Sequence, residues 1–547
     1  MTASGAWIVL GGVVAIAACR EPSVPLAAAS GSLAAAAEPH DPLAAARARA
    51  GVVDNLDAAI PPMCYTRTDG TSNPCWVCHT DGRGRTRFDD GELQETYAFP
   101  DTARDNPWRN LFVDRRAAIA AIDDATILAW VRTDNYQPLA RALAAAPASY
   151  PGFRPDLDLA RGFDGAGFAR DGSAWRAVRF QPFPGAFLPT NGSASDLFVR
   201  LPDALRRDGA GRPSRAAYQL NLALLEAAVT ADDGGAVDRA VEPIDERLLG
   251  VDLDGDGAVR AGTTRIRTLP PRYLGVGAPA VVAHSAPVGT ELLHSLRYLD
   301  PDAPSMMASR LKELRYARKV EQLDDWGVAR AYAAVADEAS EGKSPAYQGD
   351  AMVGFLNGFG WQYQGFIEDA GGRLRLQTDE EHRACLGCHG AIGVTIDHGF
   401  ALARKVPGAD GWRPQDLRGL RDRPQRGHAR TELATYFERV GGGDETRSND
   451  ELLARFFPDG RFDAVAVARA ARGGDRDLAW LLLPSPTRAL ALDKAYLAVV
   501  REQSFTRGRD AVLRPATRVH ARVDDDDTGL AATGRSVRDG RLLLDWE

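Results

Sequence analysis

The sequence predicts a mainly α chain, with two modules around an irregular middle region that holds little strand. Three observations lead there. One pentapeptide pattern, Cys-x-x-Cys-His, occurs twice, as Cys75-Trp76-Val77-Cys78-His79 and as Cys385-Leu386-Gly387-Cys388-His389, about three hundred residues apart. Apolar residues recur at helical spacing around both copies. Between them, residues 148–215 are rich in Gly, Pro, Phe and Arg and read as extended irregular chain.

Two thiols at i and i+3 fall on one side of a helical turn, with the following His beside them. That is the pattern of a c-type haem attachment site. Each thiol forms a thioether with a haem vinyl group, and the imidazole becomes the proximal iron ligand. Composition alone gives about 0.001 such matches in a chain with six Cys and nine His. The alternatives are a pair of disulfides or half-built zinc sites. A zinc site wants further Cys or His close by, and neither copy has a second Cys-x-x-Cys beside it. Two c-type haems are therefore expected, attached through Cys75, Cys78, Cys385 and Cys388, with His79 and His389 as iron ligands. Residues 51–147 and 379–547 then read as cytochrome c-like haem modules, the second with a tail, around a middle region at 148–378.

Length and composition agree with an ordinary folded protein. The chain has 547 residues, 45% hydrophobic and 26% charged, enough for more than one domain. The net charge is -8 with no Lys/Arg-rich block, which speaks against a nucleic-acid partner. Four of the six Cys belong to the pentapeptides, so there is no disulfide framework. Cys64 is left over and reads as a buried thiol. Cys19 ends the apolar run Trp7–Ala18, which is too short to span a bilayer and reads as an export signal. Ile16-Ala17-Ala18-Cys19 resembles a bacterial lipobox, although Met1–Ala6 carries no Lys or Arg. The resemblance implies a signal peptide at 1–18, a lipidated Cys19 and anchoring on the periplasmic side of a bacterial membrane. Arg20, where an Asp would retain the protein at the inner membrane, points to the outer one. A plain secreted protein is the alternative. Residues 19–50, rich in Ala, Pro and Ser, read as a tether.

Asn73-Pro74 breaks the chain just before the first pentapeptide, and Thr80–Arg85 reads as a loop after it. Tyr97, Phe99, Trp108 and Phe112 can form core or wall a porphyrin; Trp76 is expected against the haem edge. Helices are expected over 115–147 and 216–230. Asp252-Leu253-Asp254-Gly255-Asp256-Gly257 resembles the first half of a calcium loop, with Asp252, Asp254 and Asp256 at positions 1, 3 and 5. Position 12 is Thr263 rather than Glu, and no helix pair flanks it. An isolated calcium loop and a metal-free Asp/Gly turn both stay open. Residues 289–299, 306–320 and 323–338 read as helices, the first carrying His294. Residues 352–376, with Phe355, Phe359, Trp361, Tyr363 and Phe366, suit a short hairpin or helix beside the second haem. Glu380, Glu381 and His382 open a helix into the second pentapeptide. Helices follow at 427–440 and 478–505, the latter broken at Pro484–Pro486. The tail from 515 is polar, but Leu542–Trp546 can pack back.

The methionines constrain the second axial ligands. None lies between Met63 and Met306, and none follows Met352, so neither haem has a downstream Met in its own module. Three ligations stay open: two His, a Met from upstream (Met63, Met306, Met307 or Met352), or an open distal site. The distal imidazole candidates are His294, His284 and His398.

Two such motifs in one exported chain resemble the dihaem proteins grouped around bacterial cytochrome c peroxidase, its tryptophylquinone-forming relatives and the rubber-cleaving dihaem oxygenases. The segment Gly360-Trp361-Gln362-Tyr363-Gln364-Gly365-Phe366 looks like bacterial lipoprotein cytochromes. The resemblance implies a periplasmic dihaem cytochrome c that exchanges electrons with a redox partner protein or a small oxidant. The alternative is a dihaem redox enzyme, peroxidase- or oxygenase-like, with one open-site haem and an acid/base nearby. No residue of the sequence identifies that acid/base.

Overall fold

A broad antiparallel sheet orders the chain. The computed structural model describes residues 40–86, 89–185, 187–442, 449–473 and 476–547. Its strands are β1 Arg176–Val178, β2 Ala194–Arg200, β3 Arg239–Asp245, β4 Ala261–Ile266, β5 Glu291–Leu299, β6 Met307–Lys319, β7 Gln348–Asp350, β8 Gly354–Leu356, β9 Trp361–Glu368 and β10 Leu374–Leu376. Eight of them form one sheet in the order β1-β2-β5-β6-β9-β8-β7, with β10 also paired to β9. β8 and β10 share one edge of β9, at Gln362–Tyr363 and at Phe366–Glu368 respectively. β3 and β4 make a separate hairpin.

This sheet overturns the mainly α expectation. Segments 289–299 and 306–320, expected as helices, are β5 and β6, the longest paired strands. The reason lies in burial. β5 is central, flanked by β2 and β6, and most of its second half is buried on both faces. Such strands show no alternation of apolar and polar residues, so Leu292, Leu293, Leu296 and Leu299 mimic a helical stripe. The charges of β6 mislead in the same way. They read as a solvated helix face, yet Arg310, Lys312, Glu313 and Lys319 are all buried. Most are paired: Arg310 with Glu368 at 3.0 Å, Glu313 with Arg315 at 3.0 Å and Lys319 with Asp397 at 2.7 Å.

Helices do form elsewhere, at Asp124–Arg132, Tyr136–Ala144, Arg215–Val229, Asp325–Ser340, Glu432–Arg439 and Pro486–Glu502. The last starts with Pro at its first position behind a Ser485 cap. It packs Leu492, Tyr496 and Val500 into one cluster with Tyr298 and Ile367 of the sheet. Leu542 to Leu544 are buried, and Leu543 O accepts from Arg426 N at 3.0 Å, so the tail does fold back. Within the stretch read as a tether, Ala44–Ala48 form a short helix and Leu43 and Ala46 are buried. Leu376 N on β10 donates to Pro42 O at 2.8 Å, tying that segment to the sheet. Asp41–Glu547 form one compact unit.

Candidate functional site

Each pentapeptide is built as a turn. In the first, Cys75–Val77 make a 3-10 turn behind Pro74, and His79 N donates to Cys75 O at 2.9 Å. Asn73 Oδ1 accepts from Trp76 N at 2.9 Å and fixes where the turn starts. Trp76 packs into the core cluster of Leu433, Phe437 and Val440 and donates Nε1 to Asp539 at 2.9 Å. Cys78 of the same turn packs against that cluster.

The second pentapeptide leaves the helix Asp379–Leu386. A capping box starts that helix: Thr378 Oγ1 accepts from Glu381 N, and Glu381 Oε2 accepts from Thr378 N at 2.8 Å. Cys385 sits on its last turn. Gly387 follows because a Cβ there would lie 1.7 Å from Ala59 O. The backbone leading into the first pentapeptide thus rests directly on the second.

The two copies meet. One cavity of about 1050 Å³ is lined by Cys75, Cys78 and His79 of the first and by Leu386, Gly387 and Cys388 of the second. That lies just above the roughly 300–1,000 Å³ range of small-molecule and cofactor sites. Tyr97 and Phe99, two of the four aromatics singled out in the sequence, wall it with Phe359. Cys64 lines it too, an addition that sequence spacing does not reveal. Burial pushes the thiols of Cys64 and Cys78 well above the usual thiol range and that of Cys388 up to about 11. These are protonated thiols, not thiolates. None of the five described cysteines is in a disulfide. No three thiol and imidazole ligand atoms of the described residues come within 4.8 Å of one another, so neither disulfides nor a closed zinc site is present in the geometry.

The carbonyl of each motif His is held by a side-chain amide. Gln94 Nε2 donates to His79 O and Asn357 Nδ2 to His389 O, both at 2.7 Å. The imidazoles differ. His79 Nδ1 donates to Asp90 Oδ2 at 2.9 Å, which leaves Nε2 as the nitrogen free for a ligand. His389 packs between Tyr363, at 4.9 Å, and Phe400, at 5.4 Å, and its buried Nδ1 has no hydrogen-bond partner among the described residues. Burial, then the positive charge of Arg315, pull His389 down to about 4, opposed by the His398 backbone.

The three distal candidates separate. His294 on β5 is the cross-strand partner of Arg315 on β6, which in turn faces Gly365 on β9. Side chains so paired share a sheet face. His294 is close enough to His389 for the two imidazoles to feel each other's charge. His398 stacks on Phe359 at 3.7 Å, and its Nδ1 bonds Gly390 O at 3.2 Å. His284 lies against Gly84, bonds Ala231 O through Nε2 at 3.1 Å, and borders a void of only about 10 Å³. None of the three lines the cavity beside His79. Of Met63, Met306, Met307 and Met352, Met63 alone does.

Asp252, Asp254 and Asp256 lie in the loop of the β3–β4 hairpin. Asp252 and Asp254 gather with Glu246, their ligand oxygens within 4.8 Å of one another. Asp256 turns instead to Arg260, whose guanidinium spans Asp254 at 2.8 Å and Asp256 at 2.6 Å. Glu246 also accepts from Leu253 N at 2.7 Å and Arg260 N at 3.2 Å. These carboxylates could hold a cation, but Arg260 and the backbone already supply positive charge to them. Thr263, at position 12, is buried in β4.

The model of a family described as "-like lipoprotein" matches residues 48–464, a span that contains both pentapeptides. An uncharacterized lipoprotein of Aquifex aeolicus (strain VF5) is 32% identical over 517 residues, covering 83% of this chain and 86% of its own. No solved structure matches. Among the described residues no helix is long and apolar enough to cross a membrane. Cys19 lies outside the described residues.

Proposed function

The chain belongs to this family of lipoproteins, and on that premise we propose that it is a lipid-anchored, periplasmic dihaem cytochrome c. One observation carries the reading: thiols of two Cys-x-x-Cys-His pentapeptides, far apart in sequence, line one cofactor-sized cavity. The haem irons supply one-electron exchange when bound. The chain's own residues do the rest. Cys75, Cys78, Cys385 and Cys388 would hold the two groups covalently, and His79 and His389 would offer Nε2 to the irons. Tyr97, Phe99 and Phe359 give the cavity an aromatic wall. Arg315 and Arg509, both within 3.2 Å of the buried Glu313, place positive charge beside Cys385. Cys19 supplies the lipid anchor.

Protein matured in a host able to attach c-type haem is expected to weigh its processed polypeptide and lipid plus two haems. Replacing Cys75 and Cys78 by Ala should remove one haem. A mature protein without porphyrin mass overturns the reading.

A second reading, a peroxidase- or oxygenase-like enzyme with one open-site haem, is favoured by one observation. Among the described residues no candidate imidazole lines the cavity beside His79, and Met63 is the methionine that does. Carbon monoxide or cyanide binding to one of two haems supports this reading; two irons that bind neither leave the electron carrier.

A further inference from the structure

The two proximal imidazoles sit in opposite surroundings. His79 Nδ1 donates to Asp90, a carboxylate only 1% exposed. Asp90 is itself held rigidly. Its Oδ1 accepts from Thr80 N at 3.0 Å, and Gly393 N lies 3.2 Å from both of its oxygens. Gly393 has no room for a side chain there, since a Cβ would stand 2.1 Å from Thr80 O. Among the described residues no carboxylate is placed comparably on His389. Among the same residues its Nδ1 has no hydrogen-bond partner, its polar neighbour is the neutral His398 backbone, its ring lies between Tyr363 and Phe400, and the nearby charge is the Arg315 cation.

A carboxylate on Nδ1 fixes the ring and makes Nε2 a stronger donor. Stronger donation and a buried negative charge both stabilise the oxidised iron. An imidazole with no carboxylate on it and a cation beside it does the reverse. Resting on the dihaem reading, we propose that Asp90 is a positioning residue for His79 that makes the haem at Cys75 and Cys78 the lower-potential one, so that electrons run from it to the haem at Cys385 and Cys388. One electron leaves the first iron and reduces the second; no bond forms or breaks.

The test is a spectroelectrochemical titration of the mature dihaem protein. Two separate midpoints are expected. In a Cys385→Ala/Cys388→Ala variant the lower midpoint should remain, and in a Cys75→Ala/Cys78→Ala variant the upper. Asp90→Asn keeps an oxygen for the His79 N–H but loses the charge; it should raise the lower midpoint and leave the upper one in place. Coincident wild-type midpoints, an upper midpoint retained by the first haem, or a shift confined to the second haem overturns the proposal. Should Asp90→Asn fail to fold, the single-haem variants decide alone. A colourless wild-type protein defeats the dihaem reading instead, which keeps the two failures distinct.

Discussion

His382 lies three residues before Cys385, yet its role is structural. Its Nε2 accepts from Gly365 N at 2.9 Å and its Nδ1 donates to Thr378 O at 2.8 Å. Burial pulls it down to about 4, against about 6.5 for an unfolded His. The unfolded chain therefore binds the proton first as pH falls. The stability His382 contributes is complete above about pH 6.5 and is lost as pH drops toward 4, by about 1.4 kcal/mol per pH unit at most. Urea melts between pH 7 and 4 should show this slope, and His382→Gln should flatten it. His294 is argued differently. With His389 near it and its ring on the sheet face of Arg315, it is the expected sixth ligand of the second haem. His294→Ala should give a haem that binds carbon monoxide; an unchanged spectrum removes His294 from the iron. Asp90 and Cys64 illustrate what spacing does not reveal. Asp90 follows an equally plain Asp89, and only the fold turns one to His79 while the other meets Arg538 at 2.7 Å.

Among the elements, β5 and β6 carry the sheet, and their sequences hide it. A strand buried on both faces loses the alternation that would mark it, and its paired charges imitate a helix surface. Leu314 on β6 is 1% exposed in a cluster with Leu293, Leu311 and Phe366. Leu314→Ala should cost about 2–5 kcal/mol of stability in urea unfolding. A cost below 1 kcal/mol would mean the sheet is not packed as described. The helix entering the second pentapeptide was legible, because its capping box and acidic first turn are local. The Asp252–Gly257 loop was legible as a loop, but not its neighbours. Arg260 and Glu246 reach it from outside the six-residue pattern. With Arg260 spanning two of its carboxylates, a chelator is expected to leave the melting temperature of the wild type unchanged. A fall on chelation would restore an ion to that loop.

Over the whole molecule, the pentapeptides share one cavity and one strut. Asp90 and Gly393 join the segments after them, and Val394 N donates to Cys78 O at 3.3 Å. Gly393→Ala, a change beside the second motif, is expected to disturb the optical spectrum of the first haem as well. A disturbance limited to the second would show the strut to be slack. The sequence by itself determined the turns that present each thiol pair, the helix into Cys385 and the lipoprotein character, since contiguous residues at fixed spacing encode each of these. Only the tertiary structure decided that the chain is built on an eight-stranded sheet, that two remote motifs meet in one cavity, and which His receives a carboxylate. Those features depend on pairing and burial between segments hundreds of residues apart, and local periodicity carries no record of which distant partner a segment will face.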